Sequence, residues 1–514
     1  MDQRPPTSPG PDAPGDSAEK VTRRVAKNGL AQVVRLGATI ISKLLIVVAI
    51  ARWQGVEQVG DFTIVMTFTM TLGFLNNLGM TVLLVREIAK ERHRVHEYTE
   101  NALTIGVVSG ILSVFVMGLV ASGLGYSREL VIGVYLSAIA MVLDNLGNLY
   151  VAAFSGYERM EMGALAIVIQ ELAFLVVGAI VLILQLPFLW LFVIYILSRF
   201  ISLVASIQIY WKLWGKPPRL GFEWPVLKLL GRKTLPFALT TALAPVFARF
   251  DVLMLASMRG NVEVGYYEVA STLFYRLNVL ARFYNLAILP LIANQYPIIG
   301  DKVVGYVKQA LKYQLMIGAP LTAIGLVLGG PLIVAVYGLE FQPAVFAFQI
   351  MAMAIFLRLV DNTLAVTLTA INMESQRSVA TAVLAIFNIV INLYAIPRYG
   401  YVGAAVTSVI TEIGFFVYVY LVVRTRLPNP FSLEMLIRPA AASLIMTLPL
   451  LVVNSWSVWV LLPLGVVIYA LLVMPLRVVT PDELGFMMRA FKADRFLPPA
   501  LRRRFFPRPQ PPSE

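Results

Sequence analysis

Gly29-Leu-Ala-Gln-Val-Val-Arg35-Leu-Gly-Ala-Thr39-Ile-Ile-Ser-Lys43-Leu-Leu-Ile-Val-Val-Ala-Ile-Ala-Arg52 is long and apolar enough to cross a membrane as one helix. About 20 such residues cover a hydrocarbon core of ~30 Å. Yet the run carries Arg35 and Lys43 with Thr39 between them. Spacing of i, i+4, i+8 puts all three on one stripe of a helix. A cation in that setting faces a partner or water, because exposure to lipid costs ~2.5–3.5 kcal/mol or more.

Similar runs recur as far as Leu476. The 514 residues are 58% hydrophobic and 14% charged, and the mean hydropathy is +0.77. A soluble surface carries roughly twice that share of charge. A soluble enzyme, a secreted disulfide scaffold and a DNA-binding protein are thereby excluded. Cysteine is absent, and the only histidines are His93 and His96. Thiolate chemistry is out of reach, and no metal or other cofactor is expected. The first apolar run starts late, is long and lacks a small-residue cleavage site, so no cleavable signal peptide is expected.

The expected fold class is an all-α polytopic membrane protein of about fourteen spans, with twelve or thirteen also compatible. Pro187–Phe188 and Pro331 can each mark a turn or only a kink. Lys and Arg concentrate on alternate loops, among them Arg86, Lys90, Arg92 and Arg94, then Lys212 to Lys233. The opposite loops hold only Arg52, Arg128, Arg259 and Arg398. The positive-inside rule then places both termini in the cytoplasm and the chain in the plasma (inner) membrane. This placement accounts for most of the +13 net charge without any nucleic-acid partner. The basic tail around Arg502, Arg503 and Arg504 suits an anionic lipid leaflet.

Two patterns recur. Gly55-Val-Glu-Gln-Val-Gly60-Asp-Phe follows the first span, and Gly260-Asn-Val-Glu-Val-Gly265-Tyr-Tyr follows the seventh. Asp144-Asn145 lies in the fourth span and Asp361-Asn362 in the tenth. An offset of six spans gives a parallel repeat with its axis along the membrane normal. The expected organisation is a cytoplasmic tail (1–28), an N-lobe of six helices (29–214), a linker (215–233) and a pseudo-symmetric C-lobe of six helices (234–426). Two extra helices (427–476) and a basic tail (477–514) follow.

Polar side chains mark candidate cavity walls. Arg249 and Asp251 lie in span seven. Tyr275, Asn278, Arg282 and Asn285 form a stripe along span eight, with Arg276 beside it. Together with Arg35, Thr39 and Lys43 they make a cationic set suited to phosphate or diphosphate. Arg35, only two turns inside the membrane, can instead snorkel to the surface. Arg358 and Asp361 are read as a structural bridge. Asp144, Glu171, Asp361 and Glu412 are buried acids that either serve a coupling cation (H+ or Na+) or pack helices. Asn388 and Asn392 are equally open between helix glue and cation ligands.

Arg52-Trp-Gln-Gly-Val-Glu-Gln-Val-Gly60 resembles the first turn of the polysaccharide flippases of the multidrug/oligosaccharidyl-lipid/polysaccharide exporter superfamily. Phe250-Asp251 with Val264-Gly265-Tyr266-Tyr267-Glu268-Val269-Ala270 is similar to a central signature of that family. Leu289-Pro290, Tyr337-Gly338-Leu-Glu-Phe341 and Asn392-Leu-Tyr-Ala-Ile-Pro397-Arg-Tyr-Gly400-Tyr-Val-Gly403-Ala-Ala405 resemble further family segments. The resemblance spans about Asn28 to Arg426. It implies a non-enzymatic flippase that moves a lipid-linked oligosaccharide by alternating access. It also implies a monomer, working alone or with polysaccharide assembly proteins. The alternatives are a cation-coupled multidrug exporter and a lipid II flippase. Span two lacks the deep basic residue that lipid II flippases often carry there. A membrane glycosyltransferase would need larger loops than 215–233.

Overall fold

The computed structural model describes residues 18–216, 219–277, 281, 285, 289, 292–294, 301–453, 455–480 and 483, apart from the side chains of 18–26, 235–248 and 301. Among them every regular element is helical. Nine helices are long and apolar enough to cross a membrane, or ten with one bent pair counted as a single span. The chain is therefore a multi-pass membrane protein. It divides into two compact units, Met1–Gly265 and Tyr266–Glu514.

The first unit contains α1 (Ala18–Trp53), α2 (Val56–Leu72), α3 (Phe74–Asn77), α4 (Met80–Lys90), α5 (Val95–Gly123), α6 (Arg128–Gly156), α7 (Met160–Ile183), α8 (Leu189–Trp214) and α9 (Trp224–Arg259). The start of α10 (Asn261–Arg276) also belongs to it. Small residues set the helix spacing, as expected where packing rather than hydrophobic burial drives association. Gly110 of α5 faces Val142 of α6 with no room for a Cβ, and Gly178 of α7 receives Ile46 of α1. Pro187 marks a turn, since α7 ends four residues before it and α8 starts at Leu189.

The second span departs from its sequence pattern, which suggests one unbroken helix over 60–85. The structure interrupts it: α2 stops before Gly73, and Leu78 and Gly79 take left-handed φ values of 49° and 81°. The two Gly-rich turns, by contrast, meet. Gly55 and Gly260 share nearly the same backbone, with φ of 87° and 88°. A Cβ on Gly60 would fall on the carbonyl of Asn261, and one on Gly265 would fall on the carbonyl of Val56. The Asn261 amide donates to the Asp61 carboxylate across the same crossing.

The opposite ends of these helices are tied by polar groups. The Gly221 N–H donates to the Glu100 carbonyl at 3.1 Å. The Thr104 hydroxyl donates to the Gly221 carbonyl at 2.7 Å, and the Glu223 N–H to Asn101 Oδ1 at 3.0 Å. Glu87 at the end of α4 is buried, and Lys233 of α9 reaches its Oε2 at 2.8 Å.

In the second unit, α11 (Asp301–Tyr337) continues through Pro320 and Pro331, so the latter does not end a helix. Then come α12 (Ala344–Ala352) and α13 (Ile355–Ala370), meeting at 47°. The next helix, α14 (Glu374–Arg424), covers two expected spans, 379–396 and 401–423; Gly400 interrupts it with φ 56°. The last pair, α15 (Leu433–Val452) and α16 (Val458–Val473), packs with α11 around Leu328, Met446, Leu450 and Leu461. Tyr469 Oη donates to the Met316 carbonyl at 2.8 Å.

Gly60→Val should lower the melting temperature of the detergent-purified protein, since overpacking a tight contact costs ~1–3 kcal/mol. Gly231→Ala, at a helical position where a Cβ meets nothing, serves as the comparison and should melt higher than Gly60→Val. A double-mutant cycle of Glu87→Gln and Lys233→Met should return a coupling of about 0.5–3 kcal/mol. Strict additivity in thermal melts would remove the pair from the account of the fold.

Candidate functional site

The break in the second span exposes backbone where an intact helix would hide it. The Asn76 carbonyl accepts from Ser109 Oγ at 2.8 Å and from Asn145 Nδ2 at 3.1 Å. Asn76 Nδ2 in turn donates to the Met141 carbonyl at 2.9 Å. Irregular backbone at membrane depth is tolerated only where protein or a polar cavity satisfies it. Here it borders a cavity of about 360 Å³ within the first unit, walled by α1, the broken span, α6, α7 and α8.

From α1 the cavity receives Thr39 and Lys43, two of the residues on the sequence stripe. Ser42 turns the other way and donates to the Glu171 carbonyl at 3.3 Å, which fixes the rotation of α1 on α7. Arg35, two turns earlier, is half-buried and makes no ion pair among the described residues.

The wall also holds Arg199 of α8, only 4% exposed. Its Nε lies 3.4 Å from Asp144 Oδ1 of α6, and its Nη1 lies 3.5 Å from Glu171 Oε1 of α7. The guanidinium also covers the Tyr195 ring at 4.3 Å. Two of the four buried acids expected from the sequence therefore meet at one cation. Desolvating a lone ion costs several kcal/mol, so the three groups hold one another in place. Asn148 Nδ2 further donates to Asp144 Oδ2 at 2.9 Å. The lining carries two cations, Lys43 and Arg199, and two carboxylates, Asp144 and Glu171. Its formal charge is zero.

Arg199 is absent from the sequence candidates. A signal exists: it is the only charged residue between Leu189 and Lys212. Its partners lie on two other helices, so no i±3 or i±4 pattern points to it.

The second unit has its own buried polar cluster. Arg358 donates from Nη1 to both oxygens of Glu412, at 2.8 and 2.9 Å. It also lies over the Tyr275 and Phe274 rings at 4.6 and 5.3 Å. The sequence reading pairs Arg358 with Asp361. The hydrogen bonds go to Glu412 instead, because α14 brings that carboxylate straight onto the guanidinium. Asp361 stays buried close by, with Oδ2 lacking a hydrogen-bond partner. Asn285 donates to Asn362 Oδ1 at 2.8 Å and accepts from Thr363 Oγ1 at 3.0 Å. Asn388 donates to Thr411 Oγ1, and Asn392 to Asn388 Oδ1, each at 2.9 Å. The Asn388–Thr411 bond clips together the two halves of α14 across Gly400.

Of the remaining candidates, Asp251 is buried and accepts from the Val252 N–H at 2.9 Å. Arg249 and Arg276 are half-buried. Asn278 and Arg282 lie outside the described residues, as does most of the basic C-terminal tail.

The solved structure of a lipid II flippase, MurJ, in an inward closed conformation superimposes with a TM-score of 0.70 at 14% identity, covering 90% of this chain and 99% of that one. An inward-facing multidrug resistance MATE family transporter of the MOP superfamily gives 0.59 at 16% identity, covering 77% and 97%. A MOP superfamily transporter from Pyrococcus furiosus, whose binding pocket is described as reversed in polarity, gives 0.54 at 14% identity, covering 78% and 95%. At these identities the likeness is one of fold. No curated protein matches the sequence. The sequence profile described as "Polysaccharide biosynthesis protein" matches residues 25–295. That match covers more than half of the chain, which therefore belongs to the polysaccharide biosynthesis protein family.

Proposed function

We propose that the protein is a flippase that carries a polyprenyl-diphosphate-linked oligosaccharide from the cytoplasmic to the outer leaflet for cell-surface polysaccharide synthesis. The observation that carries this reading is the α1 stripe. Arg35 is half-buried and makes no ion pair among the described residues, and Thr39 and Lys43 continue the stripe into a polar cavity. A guanidinium in a low-dielectric setting attracts an anion strongly and grips phosphate oxygens through a planar fork. The diphosphate docks on Arg35. The polyprenyl tail stays in lipid. Rocking of the two repeats then exchanges access between the two sides. No bond is made or broken.

The acids supply coupling. In the second unit one arginine faces two carboxylates but bonds only Glu412, and Asp361 close by retains an unpartnered oxygen. A proton or a sodium ion at Asp361 would offset that excess negative charge. In the first unit Asp144 and Glu171 share Arg199 in the same proportion. A multidrug exporter for organic cations would call for a net acidic pocket, and the first-unit cavity has none. A lipid II flippase is a case of the same chemistry with a different headgroup. The extensive superposition on MurJ keeps that substrate in the test.

Proteoliposomes containing a fluorescent polyprenyl-diphosphate saccharide should show ATP-independent loss of label protection as substrate reaches the far leaflet. Arg35→Glu should cut the rate more than tenfold, and Arg35→Lys should keep part of it. A charge-reversed variant as fast as the parent would sink the docking role. Asp361→Asn should abolish the response of the rate to an imposed proton or sodium gradient. If acceleration by either gradient persists in that variant, coupling lies elsewhere.

A further inference from the structure

We infer that the first-unit cavity is a saccharide subsite that takes a neutral glycosyl residue of the substrate, separate from the place where the diphosphate is held. This rests on the flippase reading above and assigns the cavity a different ligand chemistry from the cationic stripe.

Charge is the first observation. Lys43 and Arg199 are matched one for one by Asp144 and Glu171. A diphosphate would need an excess of cations there, and a cationic ligand an excess of acids. A neutral ligand needs neither. The second observation is a set of orphan polar atoms on the same wall. Asn145 Oδ1 and Glu171 Oε2 are buried and have no hydrogen-bond partner, and Arg199 Nε, buried beside them, has only its 3.4 Å ion pair with Asp144 and no hydrogen bond. Each of these side chains is more than nine-tenths buried. Buried polar groups are almost always satisfied, so unsatisfied ones ask for a missing partner. Two of the three are acceptors and one is a donor. A hydroxyl both donates and accepts, so one ring bearing several hydroxyls can serve all three.

The rest of the lining fits the same ligand. Gln170, Asn148 and Thr39 add planar amides and a hydroxyl at fixed positions. The volume of about 360 Å³ falls within the ~300–1,000 Å³ of small-molecule sites. Arg35 and Lys43 are eight residues apart on one helix, or about 12 Å along its axis. The substrate can therefore place its diphosphate at Arg35 and reach the cavity with the attached sugar.

The test uses the full chain in nanodiscs and native mass spectrometry. The probes are undecaprenyl diphosphate without sugar and the same carrier bearing a single glucose, galactose, mannose, rhamnose or N-acetylglucosamine. At least one glycosylated carrier should bind about tenfold more tightly than the bare one, equivalent to ~1.4 kcal/mol. Gln170→Ala and Asn148→Ala should each bring that ratio towards one. Arg35→Ala should weaken both carriers and preserve the ratio. Binding of the bare carrier reports that each variant is folded. The subsite is overturned if no sugar improves on the bare carrier, which would leave the cavity merely hydrated. It is equally overturned if the ratio survives in both cavity variants. Failure of every carrier to bind would instead remove the flippase reading, and this inference with it.

Discussion

A guanidinium that is 4% exposed inside an apolar bundle cannot stand alone, and the first unit is arranged around that requirement. Arg199 needs counter-charges, and they come from α6 and α7. Three helices are thereby fixed in rotation and in depth. Glu171 is further set by its neighbour α1, whose Ser42 bonds to its carbonyl. Once those rotations are fixed, Lys43 must point to the same side as the acids. The polar cavity follows from matching one buried charge, and apolar packing closes around it.

The second unit meets the same requirement differently. Arg358 and Asp361 share α13, and the carboxylate that binds the arginine arrives from α14. In the first unit the arginine sits on α8 and both acids come from elsewhere. Each unit nevertheless combines an Asp-Asn pair, one arginine and one glutamate. Removing either partner of such a pair would leave an uncompensated charge in a medium that cannot solvate it. Large aromatic surfaces over both guanidinium groups add to their retention.

Much of this is legible in the sequence. Length and hydropathy point to a polytopic helical protein, because lipid leaves few other solutions for the backbone. The stripe of Thr39 and Lys43 points at the cavity they line, and Glu171 stands out as a buried acid, whereas Asp144, read the same way, is a third exposed. What stays hidden has a common cause. Arg199 finds its partners across helices, and Arg358 exchanges a near neighbour for Glu412, 54 residues further along the chain. One-dimensional spacing reports contacts within a helix and is blind to those between helices. The interrupted second span escapes for another reason. Its markers Gly73 and Gly79 are of a residue type common in membrane helices, and they gain meaning only beside the carbonyl of Asn76 that the break uncovers.

That interruption has a mechanical corollary. The first segment, α2, is seated against α10 where two glycines allow backbone to touch backbone. The second segment, α4, is moored to α9 by Glu87 and Lys233. A continuous rod with both ends fastened would transmit any twist from one side of the bilayer to the other. A rod severed between its fastenings does not. Its two pieces can tilt separately about a few soft torsions near Leu78 and Gly79, so the cavity wall is compliant where both fastenings stay stiff.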